Sequence, residues 1–156
     1  MGTTDRRLQE LGITLPAAAA PVANYLPFVR TGNLVVVSGQ ICFGPDGKIA
    51  DAHKGKLGRE VSLEAGQAAA RLCAINILAQ LRAAIGDLDR VTRCVRLGGF
   101  INAVPTFAQL APVMNGASDL MVAALGDKGR HARSTIGVAE LPLDASVEVE
   151  GMFEVQ

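Results

Sequence analysis

The sequence has no tryptophan, one tyrosine and five phenylalanines among 156 residues, and its 15 basic residues are balanced by 15 acidic ones for a net charge of zero. Binding to a nucleic-acid backbone needs clustered lysines and arginines, and binding to single strands usually needs aromatic rings on which bases stack. Neither is present, so nucleic acid is not an expected partner. Cysteine is scarce as well: Cys42, Cys73 and Cys94 are odd in number and lack C-x-x-C spacing. This argues against a disulfide framework and against a structural zinc site. Three unpaired thiols fit a reducing cytoplasm. His53 and His131 stand alone, so no histidine-rich metal site is expected. Arg6-Arg7 followed by Ala17 to Ala20 superficially imitates a secretory leader, but Pro16 and Pro21 bracket only those four alanines, too short an apolar run. No segment approaches the length of a transmembrane helix on this reading, and no membrane association is expected.

Apolar residues make up 49% of the chain and charged residues 19%. That balance is apolar for a soluble monomer and points to surface that meets another subunit. The length suits one domain with a sizeable core. Residues 1–20 read as a lead-in carrying a short helix over about 4–11, and residues 21–156 as the domain. Gly32-Asn33 between two apolar runs predicts a hairpin of strands 27–31 and 34–41. Residues 42–60 read as loop with room for a short edge strand. Ser62 caps a helix over 62–85, Glu64 lies in its first turn, and Gly86 stops it. Its stripe of Ala70, Cys73, Ala74, Ile77, Leu78, Leu81, Ala84 and Ile85 is core. A strand over 90–98 ends in a loop at Gly98-Gly99. A second helix covers about 107–125, with Pro112 either kinking it or lying in its first turn. Two strands close the chain, about 133–139 and 145–155, read as strand, turn, strand.

This order predicts an α+β fold, a mixed sheet with two helices packed on one face. In the last strand Val147, Val149, Gly151, Phe153 and Val155 alternate with Ser146, Glu148, Glu150, Met152 and Glu154. The apolar set suits the helix side. The polar set faces a partner, a solvent channel or a site.

The chemistry concentrates near the C-terminus. Arg133 and Thr135 are two residues apart on a strand and point the same way. A guanidinium offers a rigid fork that matches a carboxylate in two parallel bonds. Glu148 could orient a water or shuttle a proton. On spacing alone the two charges form either an ordinary cross-strand ion pair or one wall of a small-carboxylate pocket.

Several short pieces in a fixed order bear on that choice. They are Tyr25 seven residues before Gly32-Asn33, then Ser38-Gly39-Gln40, the alanine-rich helix, and Val113-Met114-Asn115. Ala132-Arg133-Ser134 through Leu141-Pro142 follows, and last Val147-Glu148-Val149-Glu150. Together they resemble the RidA/YjgF family of reactive-intermediate deaminases, also known as L-PSP-type endoribonucleases, from about Tyr25 to Phe153. The resemblance implies a chorismate-mutase-like fold assembled as a homotrimer with its sites between subunits. It implies hydrolysis of enamines and imines such as 2-iminobutanoate and 2-iminopropanoate to 2-keto acids and ammonia, with no cofactor or metal. By position, Arg133 matches the arginine that binds the substrate carboxylate, and Glu148 matches the carboxylate near the attacking water. Tyr25, Ser38, Gly39 and Asn115 match pocket residues, Tyr25 being contributed across the interface. Thr135 stands where many members have a cysteine whose main chain helps hold the substrate nitrogen and the water. Gly116-Ala117-Ser118-Asp119 and Gly129-Arg130-His131 depart from the compact members. His131 admits a titrating or a structural role. Alternatives to deamination are a non-catalytic trimer that binds small carboxylates and, on the older family label, an endoribonuclease.

Overall fold

The computed structural model describes residues 2–21 and 23–156. Its elements are α1 (Thr3–Glu10), β1 (Phe28–Thr31), β2 (Leu34–Ile41), α2 (Leu63–Ile85), β3 (Val91–Asn102), α3 (Leu110–Leu125), β4 (Ala132–Val138) and β5 (Val147–Val155). The five strands form one sheet in the order β1-β2-β5-β3-β4. All pairs are antiparallel except β3 with β4, which is parallel. Helices α2 and α3 pack on one face, as the alternating pattern of β5 predicts.

The local reasons are visible in the sequence. Ser62 Oγ accepts the Ala65 amide at 3.1 Å, and Gly86 adopts φ of 79° where α2 stops. Pro112 lies in the first turn of α3, where its missing N–H costs nothing. The expected core stripe of α2 is buried apart from Ala84, which is partly exposed. It packs over β5 and β2, whose Val149, Phe153, Val35 and Val37 are buried. At 23 residues, α2 is in fact long and apolar enough to cross a membrane by length and composition, contrary to the sequence reading, but 56% of its apolar window is buried inside this fold. The lead-in is docked: Leu8 is buried, and the Thr3 and Thr4 amides at the start of α1 bond the Asp89 carboxylate at 2.6 and 2.8 Å. Cys42, Cys73 and Cys94 are free and buried.

Four expectations need correction. The last two strands are not a hairpin. β3 lies between them, pairing β5 on one side and β4 on the other. A parallel pair needs a long crossover, and α3 supplies it, so β3, α3 and β4 form a β-α-β unit. Secondly, β3 continues through Gly98-Gly99 to Asn102. A Cβ at Gly98 would stand 2.7 Å from Glu150 Oε1, and one at Gly99 would stand 2.5 Å from Met114 Sδ. The glycines there make room on both faces of a strand and do not mark a turn. Thirdly, residues 42–60 hold a 3₁₀ turn at Asp51–His53 and isolated bridges, with no edge strand. Lastly, Ser146 is fully buried instead of sharing the open face with Glu148.

Candidate functional site

The sequence-predicted residues fall into two groups on different surfaces of the chain. The first lies at the β4 edge. Arg133 is aligned with the buried Leu97 of β3, and Thr135 with Gly99, so both side chains rise on the helix face. Above them runs α3, whose Ala111, Asn115 and Ser118 share one side by their i, i+4, i+7 spacing. Arg133 Nη1 donates to Ser118 Oγ at 3.0 Å, and Nη2 donates to the Ala111 carbonyl at 3.4 Å. Ser118 Oγ is also 2.9 Å from His131 Nε2, and His131 Nδ1 is 2.6 Å from the Gly129 carbonyl. Asn115 lies within the helix and is exposed. Thr135 Oγ1 is buried without a hydrogen-bond partner.

Arg133 forms no ion pair among the described residues. The cross-strand pair with Glu148 is therefore excluded within one chain. Glu148 lies on β5, two strands from β4, which places the backbones about 10 Å apart. It is also on the opposite face, in the row of Phe100. Arg133 is thus a half-buried cation held only by neutral partners.

The second group surrounds Glu148. In β2, Val37 pairs with Gly151 and Gln40 with Val149, so three steps of β2 answer two of β5 and Ser38-Gly39 form a bulge. The bulge is clamped to the preceding segment: the Ser38 amide bonds the Pro27 carbonyl at 2.9 Å, and its hydroxyl bonds the Leu26 carbonyl at 2.7 Å. Gly39 lies flat against Glu148, since a Cβ there would be 2.1 Å from Glu148 Oε1. A cavity of about 360 Å³ opens here, lined by Tyr25, Gly39 and Glu148 together with Ala19, Pro142 and Leu143. Tyr25 and Leu143 form an exposed rim, at 51% and 67% exposure. Leu143 and Asp144 hold left-handed backbone, φ 56° and 57°, a conformation that costs non-glycine residues energy and often accompanies function.

Burial raises the Glu148 carboxyl above its ordinary value of 4.5, and the neighbouring Glu150 charge adds to the rise. The ionised form therefore costs stability, because the folded state binds the proton more tightly than the unfolded one. The cost is absent below the unfolded-state value and grows as pH rises through the folded-state value. Glu148→Gln is accordingly expected to raise the urea midpoint at pH 8, with the gain vanishing near pH 4. An equal gain at both pH values would contradict the burial argument. Gly39→Ala is expected to keep the fold, since only the end of a flexible side chain must move, while displacing the Glu148 carboxylate. A lowered melting temperature with an undisturbed Glu148 titration would contradict it.

Sequence reasoning missed Ser118 as a partner of Arg133 and Leu143 as a rim residue. Ser118 sits three residues after Asn115, one helical turn on, and that spacing was the available signal. Nothing in the sequence marked Leu143.

Comparison with known proteins bears on the arrangement as a whole. The sequence profile of the family described as "YjgF/chorismate_mutase-like, putative endoribonuclease" matches residues 5–154. Protein TCP17 of Trypanosoma cruzi is 46% identical over 155 residues, 99% of this chain and 95% of that protein. The crystal structure of Atu1372 from Agrobacterium tumefaciens, a protein of unknown function, is 48% identical with a TM-score of 0.91, covering 98% of this chain and 92% of that one. RidA from an Antarctic Psychrobacter is 28% identical with a TM-score of 0.61, covering 92% and 97%. The chain belongs to the YjgF/chorismate-mutase-like family, and its fold is that of the family.

Proposed function

We propose that the chain is a hydrolytic deaminase of 2-imino acids and their enamines, of the 2-iminobutanoate and 2-iminopropanoate type, with its active sites between the subunits of a homotrimer. The observation that carries this reading is the state of Arg133: a half-buried guanidinium with neutral partners and no ion pair among the described residues. Such a fork at a sheet edge is suited to an incoming carboxylate. The complementary half-site, with Glu148, Tyr25 and the Ser38-Gly39 bulge, lies on another surface of the chain, so a second copy would supply it. Exposed Val29, Val36 and Ile136 on the open face supply apolar surface for such contact.

The chemistry is then simple. Arg133 holds the substrate carboxylate, and Tyr25 and the bulge shape the cleft. Glu148 orients a water and accepts its proton as the oxygen attacks the carbon of the protonated imine. That carbon becomes tetrahedral, Glu148 passes its proton to the nitrogen, the C–N bond breaks as the new hydroxyl gives its proton back to Glu148, and ammonia leaves a 2-keto acid. A carboxyl with a raised pKa suits these proton transfers. Thr135 and Asn115 line the arginine side. The test is to generate 2-iminobutanoate in situ with an amino-acid oxidase and follow its decay. Faster decay with wild type than with Arg133→Ala supports the reading. Binding of 2-ketobutyrate without imine hydrolysis would replace it with a non-catalytic carboxylate-binding trimer. RNA cleavage by highly purified protein, abolished by Arg133→Ala, would favour an endoribonuclease.

A further inference from the structure

We infer that Ser118 and His131 form a hydrogen-bonded relay that positions Arg133 before the ligand arrives, and that this relay sets the affinity of the chain for carboxylates. The inference rests on the reading of Arg133 as the carboxylate anchor. The relay runs in one direction. Arg133 can only donate, so Ser118 Oγ accepts from Nη1 at 3.0 Å. The Ser118 hydroxyl hydrogen is then free to donate to His131 Nε2, 2.9 Å away. The Gly129 carbonyl can only accept, so His131 Nδ1 carries the proton it donates over 2.6 Å. With His131 neutral, each group has one role, and the chain ends on a backbone carbonyl at the close of the 3₁₀ turn Gly126–Gly129.

The consequence for Arg133 is specific. A free arginine side chain has many rotamers, and ordering it opposes binding. Here Ser118 and the Ala111 carbonyl fix the guanidinium plane through one N–H on each terminal nitrogen. Three of its five N–H bonds are left for a ligand. Ser118 and His131 come from two segments, on α3 and just before β4, that converge on one guanidinium. They are positioning residues, since neither is argued to touch the reacting atoms.

Two measurements test this together. Ser118→Ala is expected to raise KM for the imino acid, and Kd for 2-ketobutyrate, about five- to tenfold with kcat within about twofold, because an anchored carboxylate is held equally before and at the transition state. Ser118→Thr keeps the hydroxyl and is expected to restore both. Nitrogen-15 NMR of the wild type is expected to show His131 protonated at Nδ1 and bare at Nε2, with the Arg133 Nη signals slowed in exchange, and the slowing lost in Ser118→Ala. If wild type hydrolyses imines and Arg133→Ala does not, but Ser118→Ala leaves KM unchanged, the relay is overturned and the deaminase reading stands. If wild type hydrolyses no imine, the deaminase reading fails, and the NMR result alone decides whether the relay holds Arg133. An Nε2-protonated His131, or Arg133 signals unaffected by Ser118→Ala, overturns it.

Discussion

Arg133→Ala is expected to lower kcat/KM for 2-iminobutanoate hydrolysis by about 30- to 1,000-fold, the kinetic equivalent of about 2–4 kcal/mol for a charged hydrogen-bonded anchor. The size follows from the surroundings of the side chain. Arg133 is half-buried, and Ser118 and the Ala111 carbonyl hold it without neutralising it. A carboxylate docking there gains a charge-assisted contact for which no acid of the same chain competes among the described residues. Truncation removes the fork and leaves the substrate carboxylate unpaired in the cleft. Stability should change little, because no carboxylate is left uncompensated. Arg133→Lys is expected to lie between wild type and alanine, as it keeps the charge and loses the planar two-pronged geometry. Equal rates for wild type and Arg133→Ala, after subtraction of spontaneous imine decay, would remove the basis for the deaminase reading.

The fold was largely legible because its strongest signals are local. The stripe of α2, the Ser62 cap, Gly86 and the alternation of β5 each record one element's environment, and each is where the pattern placed it. Strand order was not legible. The segment between β4 and β5 is short and contains Pro142, which reads as a turn. The pairing is decided elsewhere, by a 12-residue β3 long enough to hold β5 on one edge and β4 on the other. Gly98-Gly99 misled for a similar reason. Glycine there answers to Met114 and Glu150, side chains remote in sequence. The candidate site shows the same division. Arg133 and Glu148 were singled out by their chemistry and given roles by resemblance, and the alternation of β5 put Glu148 off the helix face, yet nothing in the pattern of β4 put Arg133 on it. Ser118 and His131 were noticed only as departures, because a serine and a histidine 13 residues apart have no spacing rule that joins them.

A mixture of Arg133→Ala and Glu148→Gln chains, unfolded together and reassembled, is expected to recover about a quarter of wild-type imine hydrolysis, whereas each variant alone is nearly inactive. The reasoning is geometric. The carbon under attack lies one bond, about 1.5 Å, from the carboxylate carbon, so the arginine and the glutamate must reach the same small molecule. Within one chain they cannot, since β3 separates their strands and their side chains leave opposite faces of the sheet. A site that takes Arg133 from one subunit and Glu148 from the next is intact whenever the first subunit carries Glu148→Gln and the second carries Arg133→Ala. Random assembly at equal amounts brings those two together in about one site in four. The exposed Val29, Val36 and Ile136 should become protected in the same assembly, which a trimeric mass in solution and hydrogen exchange along β1, β2 and β4 would report. If each subunit built its own site, both variants would carry one broken site per chain and mixing would recover nothing. Recovery therefore separates the inter-subunit site from every arrangement that keeps Arg133 and Glu148 within a single chain.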